Sequence, residues 1–201
     1  MKRVKAVLFD ADGVLTVPES LFAQIYAAEH DFNPKSFEQF FEDKFPDALV
    51  GRADLKQLIA ENNDIWRWDG EVEDLLKLWF ETENVQNEAL LNYIAKLRNQ
   101  GILCYVVTNQ EKYRGKYMQD VMFKGKFDGF FISAEIGAKK PSTDFFKKVI
   151  EAICGKNPSL KPEDIIYFDD TQKHVDAGKR LGLDAHLYKN VEQVNDIIKP
   201  I

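Results

Sequence analysis

Hydrophobic residues along the chain fall into two patterns, short continuous runs and longer stretches with helical spacing. Mostly apolar runs predict strands at 4–9, 102–107, 127–133, 165–168 and 183–188. Continuous runs are typical of parallel strands that are covered on both faces. Stretches between them carry apolar residues at every third or fourth position, which predicts amphipathic helices. The alternation of strand and helix predicts an open α/β sheet with right-handed crossovers.

The segment 16–82 departs from this alternation. It contains four successive stretches in which aromatic and other apolar residues recur at helical spacing. It carries 15 acidic and 6 basic residues, whereas the rest of the chain carries 18 acidic and 21 basic residues. We therefore predict a Rossmann-like parallel-sheet core formed by residues 1–15 and 83–201, with residues 16–82 inserted as an acidic α-helical domain.

Composition narrows the class of protein. The 201 residues are 45% hydrophobic, which is enough for a sizeable core. The formal charge of −6 argues against nucleic acid and anionic membranes as partners. No apolar run approaches the roughly 20 residues of a membrane-spanning helix, and no signal peptide is visible. Two cysteines, Cys104 and Cys154, do not suggest a disulfide framework. These features predict a soluble, cytoplasmic protein.

Side chains that carry chemistry follow the predicted strands at their carboxyl ends. Three strands are followed by such residues, in chain order Asp10 and Asp12, Thr108 and Asn109, and Asp169 and Asp170. Lys140 stands just before Pro141, at the predicted start of a helix whose free amides favour anions. Because ligands bind beyond the carboxyl ends of strands in open parallel sheets, we expect these groups to converge on one pocket.

The predicted pocket has a chemical requirement. Several ionised carboxylates within a few ångströms repel one another, and some take up protons unless a cation joins them. Mg²⁺ suits a site that offers carboxylates, water and a phosphate group. A lysine and a hydroxyl would then hold the phosphate, and Gly13 would let the backbone approach a ligand closely. We infer phosphoryl-transfer chemistry with a carboxylate nucleophile.

Four short stretches resemble, in order, the four motifs of the haloacid dehalogenase superfamily. They read DADGVL, VVTN, GAKKP and FDDTQKHVDAGKRLG. The resemblance extends from residue 4 to about residue 188, and the helical insertion resembles that superfamily's helical cap of the first type. It implies a Mg²⁺-dependent phosphatase that hydrolyses a small phosphorylated metabolite, a phosphate monoester, through an aspartyl-phosphate intermediate. We expect a monomer or a homodimer.

The resemblance implies roles for the aspartates. Asp10 matches the nucleophile, and Asp12 matches the general acid/base. The dehalogenases proper lack an aspartate at the position of Asp12, so the resemblance favours a phosphatase. Asp170 matches a Mg²⁺ ligand, together with Asp10 and the backbone carbonyl of Asp12. Asp169 is either a second ligand or a residue that supports the ligands.

The second and third motifs supply the phosphate-binding positions. Thr108 matches the hydroxyl that binds the phosphoryl group, with Asn109 beside it. Lys140 matches the motif lysine, and the glycine and proline of GAKKP favour it over Lys139. Close relatives of the fourth motif often carry asparagine where this chain has His174, for which we expect a local capping or packing role.

The roles of two arginines in the insertion stay open. Arg52 and Arg67 could face the pocket, but we favour pairing with the insertion's acidic residues.

Three other functions also stay open. A phosphomutase of the β-phosphoglucomutase type shares every motif but returns the phosphoryl group to a sugar. A 2-haloacid dehalogenase is disfavoured by Asp12 and Lys140. A non-catalytic binding module on this fold has no need for the whole charged set.

Overall fold

The computed structural model describes residues 4–29 and 34–198, and its core is a five-stranded parallel sheet. The strands are β1 (Ala6–Phe9), β2 (Leu103–Thr108), β3 (Gly129–Ile132), β4 (Ile165–Asp169) and β5 (Asp184–Leu187). Their order is β3-β2-β1-β4-β5, and each neighbouring pair is parallel. Because β1 is central, its carboxyl end lies between those of β2 and β4. The predicted Rossmann-like α/β core is confirmed.

Among the described residues, six helices lie between β1 and the first helix of the core. They are α1 (Phe22–Glu29), α2 (Pro34–Asp43), α3 (Phe45–Ala48), α4 (Leu55–Glu61), α5 (Asn63–Trp66) and α6 (Val72–Thr82). They bury a hydrophobic cluster of their own, whose buried members run from Phe22 to Phe80. At its centre Trp66 is fully buried, with its ring centroid 4.6 Å from that of Phe37 and 5.2 Å from that of Phe40. This separate core supports an inserted helical domain, while its boundaries at 16 and 82 stay a prediction.

The remaining helices cover both faces of the sheet. They are α7 (Glu88–Asn99), α8 (Lys112–Tyr117, continued by a π-helical turn Met118–Met122), α9 (Ser133–Ile136), α10 (Thr143–Lys156), α11 (Gln172–Arg180) and α12 (Val191–Ile198). Val7 and Phe9 pack in one cluster with α7 and α12, and Ala6 and Leu8 pack in the other with α10 and α11. Successive side chains of a strand point to opposite faces, so a strand covered on both sides must be apolar throughout.

The structure adds detail that the sequence pattern did not predict. Helix α10 begins at Thr143 rather than at Pro141, because the hydroxyl of Ser142 accepts a hydrogen bond from Asp144 N at 3.2 Å as its N-cap. Helices α3, α5 and α9 are too short for periodicity to reveal them, and α12 was not predicted. The ends of the predicted core, 1–3 and 199–201, and His30 at the end of the first predicted helix lie outside the described residues. None of the described helices has the length and apolarity needed to cross a membrane.

Candidate active site

A cavity of about 540 Å³ opens beyond the carboxyl ends of β1, β2 and β4. The predicted site residues that line it are Asp10, Asp12, Thr108, Asn109, Lys140 and Asp170. Gly13, His174 and Thr171 complete its charged and polar part, and Thr16, Val17, Pro18 and Leu21 form the side towards the helical insertion. The topology therefore brings together residues that are separated by up to 164 positions along the chain, from Asp10 to His174. Asp169 lies beneath the cavity and is fully buried.

A buried ion pair forms the floor of the site. The ammonium of Lys140 lies 2.7 Å from Asp10 Oδ1 and 2.7 Å from Asp169 Oδ2. Burial raises the pKa of Asp10 well above its ordinary value, and the charges of Asp169 and Asp12 add to this while Lys140 opposes it. Burial also opposes the charge of Lys140, but attraction by the two carboxylates outweighs this and raises its pKa. Lys140 therefore remains a cation at the bottom of the cavity.

Asp169 holds Lys140 in place from the side away from the cavity. Its Oδ2 accepts hydrogen bonds from Lys140 Nζ at 2.7 Å and from the Tyr167 hydroxyl. Its Oδ1 accepts one from Thr171 N at 2.8 Å and lies 3.0 Å from His174 Nδ1. Burial alone would raise the pKa of Asp169, but hydrogen bonds from His174 and Lys140 hold it well below its ordinary range. His174 thus both packs against Asp169 and lines the cavity.

Three carboxylates face the cavity, and those of Asp10 and Asp170 are the ones available to a hard cation. The third belongs to Asp12. A second grouping is possible, because Asp10, Asp169 and His174 each offer an atom within 4.8 Å of the others. However, the four groups around Asp169 match the four lone-pair positions of a carboxylate, so it is the less available ligand. The raised pKa of Asp10 fits a site that a divalent cation would complete, since such a cation favours the ionised carboxylates.

Asp12 is held by residues that sequence reasoning did not single out. Arg114 donates from Nη2 to Asp12 Oδ1 at 2.8 Å and from Nη1 to Oδ2 at 3.3 Å. Gln110 Nε2 also donates to Oδ2, and Thr16 Oγ1 donates to Oδ1 at 3.0 Å. Arg114 is the third residue of α8, and no motif distinguishes it from the other basic residues there. Only the fold shows that it reaches the site.

The end of β2 contributes a hydroxyl and an amide. Thr108 is the last residue of β2 and lines the cavity with 1% of its surface exposed. Asn109 Nδ2 donates to the carbonyl of Lys140 at 3.0 Å, and Asn109 Oδ1 accepts from Lys140 N at 2.8 Å. This reciprocal pair fastens the backbone of Lys140 to the sheet. The predicted contacts of Thr108 and Asn109 with phosphate stay a prediction.

The two arginines of the helical insertion lie away from the cavity. Arg52 Nη2 lies 2.8 Å from Asp47 Oδ1 at the surface, with 73% of its side chain exposed. Neither Arg52 nor Arg67 belongs to the residues that line the cavity in the described part of the chain. Trp66 and Trp68 pack with the aromatic cluster of the insertion. The Arg52–Asp47 pair agrees with the interpretation favoured from the sequence, whereas pairing of Arg67 with an acidic residue stays a prediction.

Gly13 allows Asp170 to approach the backbone of the first motif. Its φ is +80°, and a Cβ atom at this position would lie 2.1 Å from Asp170 Oδ2. We expect Gly13→Ala to lower the free energy of unfolding by about 1–3 kcal/mol, because of backbone strain, and to displace the Asp170 carboxylate. Displacement of this carboxylate should weaken the binding of added Mg²⁺. Titration calorimetry measures the Mg²⁺ affinity, and urea unfolding of the same preparation measures the free energy of unfolding.

Gly101→Ala is the matched control for this prediction. Gly101 has the same φ of +80°, but nothing lies within 4 Å of a Cβ atom built on it. It should share the backbone strain and leave Mg²⁺ binding unchanged. Equal Mg²⁺ affinities in the two variants would contradict the placement of Asp170 against Gly13.

The sheet topology, the buried lysine and the clustered carboxylates define an α/β protein with a carboxylate-rich site at its strand ends. The model of the haloacid dehalogenase-like hydrolase family matches residues 4–182, and the chain belongs to this family. The match covers every predicted site residue. The resemblance to the haloacid dehalogenase superfamily that the sequence motifs indicated is thereby confirmed.

Solved structures of this family share the fold over nearly the whole chain. A magnesium complex of the HAD family enzyme BT-2542 from Bacteroides thetaiotaomicron is 18% identical with a TM-score of 0.80, covering 99% of this chain and 100% of that one. The HAD-hydrolase YfnB from Bacillus subtilis, bound to magnesium, is 17% identical with a TM-score of 0.64, covering 99% and 100%. L-2-haloacid dehalogenase from Xanthobacter autotrophicus is 18% identical with a TM-score of 0.61, covering 90% and 76%. At these identities the likeness shows the fold alone.

Proposed function

We propose that this hydrolase is a Mg²⁺-dependent phosphatase that cleaves a small phosphate monoester through an aspartyl-phosphate at Asp10. One observation carries the proposal. Asp10 stands at the end of a buried strand, with Lys140 Nζ 2.7 Å from one of its oxygens and Asp12 facing the same cavity. These contacts support the proposal, because a nucleophile, a phosphate-binding cation and an acid/base would then share one small volume.

The first chemical step transfers the phosphoryl group to Asp10. Asp10 Oδ1 is held by Ala11 N and by Lys140 Nζ, each at 2.7 Å, which leaves Oδ2 to attack phosphorus. A bond forms between Oδ2 and phosphorus while the bond between phosphorus and the leaving oxygen breaks. Protonated Asp12 gives its proton to that oxygen, and the alcohol departs. Such general acid catalysis contributes roughly 10²–10⁴-fold to a rate.

The second step releases phosphate. Water attacks the phosphorus of the aspartyl-phosphate, and Asp12, now a carboxylate, takes the proton from this water. The bond between phosphorus and Asp10 Oδ2 breaks, which restores both aspartates to their starting forms. Splitting one displacement into two is the general advantage of a covalent intermediate. Lys140 stays near the phosphoryl oxygens and balances their charge in both steps.

Magnesium fits the donor set of this cavity. Asp10, Asp170 and the backbone carbonyl of Asp12 would hold it, and it would neutralise phosphate charge when bound. Two fold relatives support this choice, because BT-2542 is known in a complex with magnesium and inorganic phosphate and YfnB is known with magnesium. Neither relative is similar enough in sequence to transfer its substrate.

The lining of the cavity favours a substrate with one phosphoryl group and an uncharged remainder. Lys140 is the one lysine or arginine among the described residues that line it, and it already faces two carboxylates. The side opposite the charged floor consists of Val17, Pro18 and Leu21. Val17 is 44% exposed and Leu21 is 52% exposed, so both can contact a leaving group. A nucleoside triphosphate would find no further cation there.

The alternative functions differ from this proposal in one step each. A phosphomutase would have to exclude water from the aspartyl-phosphate and return the phosphoryl group to a sugar. A 2-haloacid dehalogenase would not use Asp12 as an acid/base, although a dehalogenase shares this fold. A non-catalytic binding module would release no product. Release of phosphate, of a phosphorylated isomer or of halide distinguishes the alternatives.

Removal of the metal is expected to abolish phosphate release. We would assay small monoesters, including aryl, alkyl and sugar phosphates, with added Mg²⁺ and with excess chelator. Activity should disappear on chelation and return with Mg²⁺, because the clustered carboxylates need a cation to face a phosphate dianion. A thermal melt under both conditions controls for unfolding. Undiminished turnover after exhaustive chelation would contradict the metal requirement. The ranking of the monoesters by kcat/KM would test the preference for uncharged leaving groups.

A further inference from the structure

Arg114 connects the acid/base Asp12 to the helical insertion. It lies on α8 in the core, and only 8% of its side chain is exposed. Two of its nitrogens hold the two oxygens of Asp12 as a fork, at 2.8 and 3.3 Å. A bidentate arginine fixes both the position and the plane of a carboxylate.

The guanidinium is also held by Glu83, which lies where the insertion rejoins the core. Arg114 Nη1 lies 3.0 Å from Glu83 Oε2, and only 6% of the Glu83 side chain is exposed. Glu83 directly follows α6, and its Oε1 accepts a hydrogen bond at 2.9 Å from Phe22 N at the start of α1. Glu83 therefore contacts both chain connections of the insertion. A continuous series of contacts runs from Phe22 through Glu83 and Arg114 to Asp12.

Burial makes this series more than a surface ion pair. Exposed pairs contribute little, whereas removing one partner of a buried ion pair is strongly destabilising. Glu83 and Asp12 pair with the two terminal nitrogens of Arg114 from two different parts of the fold, while its Nε has no hydrogen-bond partner among the described residues. The arrangement leaves Asp12 at the edge of the cavity, with 45% of its side chain exposed towards it.

We propose that Arg114 is the positioning residue for Asp12, and that Glu83 anchors Arg114 to the helical insertion. The inference rests on the proposed function, because it assigns Arg114 to the proton transfer that Asp12 performs. Arg114 does not touch the substrate. It holds the carboxyl at the edge of the cavity, and once Gln110 or Thr16 releases an oxygen, that oxygen carries the proton to the leaving oxygen as the bond from the leaving oxygen to phosphorus breaks. Protonation matters most when the leaving oxygen is strongly basic.

Two aryl phosphates that differ in one ring substituent can test this role. Phenyl phosphate has the more basic leaving oxygen, whereas p-nitrophenyl phosphate departs with little help from an acid. We expect Arg114→Gln to lower kcat/KM for phenyl phosphate by roughly 10–100-fold and that for p-nitrophenyl phosphate by less than about 3-fold. Arg114→Lys should recover part of the loss, because it restores the charge without the fork.

Two further variants control for folding and charge. Arg114→Gln leaves Glu83 buried without its partner, so the double variant Arg114→Gln/Glu83→Gln pairs two amides instead and should show the same substrate ratio. Lys116→Gln removes a positive charge from the same helix. Its ammonium is 76% exposed and pairs with Asp120 at the surface, so both substrates should react as in the wild type.

A double-mutant cycle separates positioning from a general structural role. In an Asp12→Asn background, Arg114→Gln should leave the ratio of the two kcat/KM values unchanged, since the group that Arg114 positions is gone. An equal loss on both substrates, or a full further change in the Asp12→Asn background, would overturn the inference.

The same measurements separate this inference from the proposed function. A changed ratio in Asp12→Asn with no change in Arg114→Gln would overturn the role of Arg114 and leave the phosphatase proposal intact. An unchanged ratio in Asp12→Asn would overturn the acid role of Asp12, and the role of Arg114 with it.

Discussion

Replacing Asp10 with asparagine is expected to reduce kcat by on the order of 10⁴-fold or more, the scale seen when an enzyme loses its nucleophile. An amide oxygen is a poor nucleophile towards phosphorus, so no aspartyl-phosphate can form. The fold should survive, because asparagine has nearly the same shape and Lys140 keeps its contact with Asp169 at 2.7 Å. Burial disfavours the charge of Asp10, so its removal should not lower the melting temperature.

Phosphate release and mass spectrometry of the quenched protein would check this result together. The wild type should carry a covalent phosphate after rapid quenching, and Asp10→Asn should carry none. Asp144→Asn is a suitable control, because its carboxylate lies at the surface and pairs with Lys148 at 2.9 Å. Near wild-type turnover in Asp10→Asn would rule out the nucleophile, and with it the phosphatase mechanism proposed for this site.

Replacing Lys140 with methionine is expected to remove activity and to lower the free energy of unfolding by about 3–5 kcal/mol, the usual effect of breaking a buried ion pair from one side. The side chain of Lys140 is 1% exposed, and its ammonium lies between two buried carboxylates. Without it, the charges of Asp10 and Asp169 repel each other in a medium of low dielectric. The phosphate also loses the one cation that lines its cavity in the described part of the chain.

The stability loss of Lys140→Met should depend on pH. Lys140 lowers the pKa values of both Asp10 and Asp169, so its removal raises them. The pKa of Asp10 is already raised in the folded protein, and an unfolded aspartate has a pKa of about 3.9. A carboxyl with the higher pKa in the folded state loses stability as the pH rises through that interval. The difference from the wild type should therefore be larger near neutral pH than at about pH 5.

Urea unfolding of both proteins at the two pH values measures this difference. Lys139→Met is the matched control, because it removes a neighbouring positive charge that does not line the cavity. It should lose little stability at either pH. A Lys140→Met protein as stable as Lys139→Met at neutral pH would show that the buried ion pair is not what holds the floor of the site.

The sequence by itself determined the sheet, the family and most of the residues that line the cavity. Residues of a strand that packs on both faces must be apolar at every position, so the run from Ala6 to Phe9 predicted a buried parallel strand. Carboxyl ends of parallel strands meet at one edge, so polar residues just after three such runs had to converge. Both inferences depend on local pattern, and local pattern is directly visible in a sequence.

Only the tertiary structure decided which partner each site residue has. Asp169 and Asp170 are adjacent in the chain, yet one lies beneath the floor with Lys140 while the other faces the cavity. Asn109 holds the backbone of Lys140, 31 positions away, and Arg114 reaches Asp12 across 102 positions. Such contacts produce no periodic pattern in the sequence, because they depend on how separate helices and strands pack. The pattern of the chain specifies where its strands end, and packing specifies which side chains meet there.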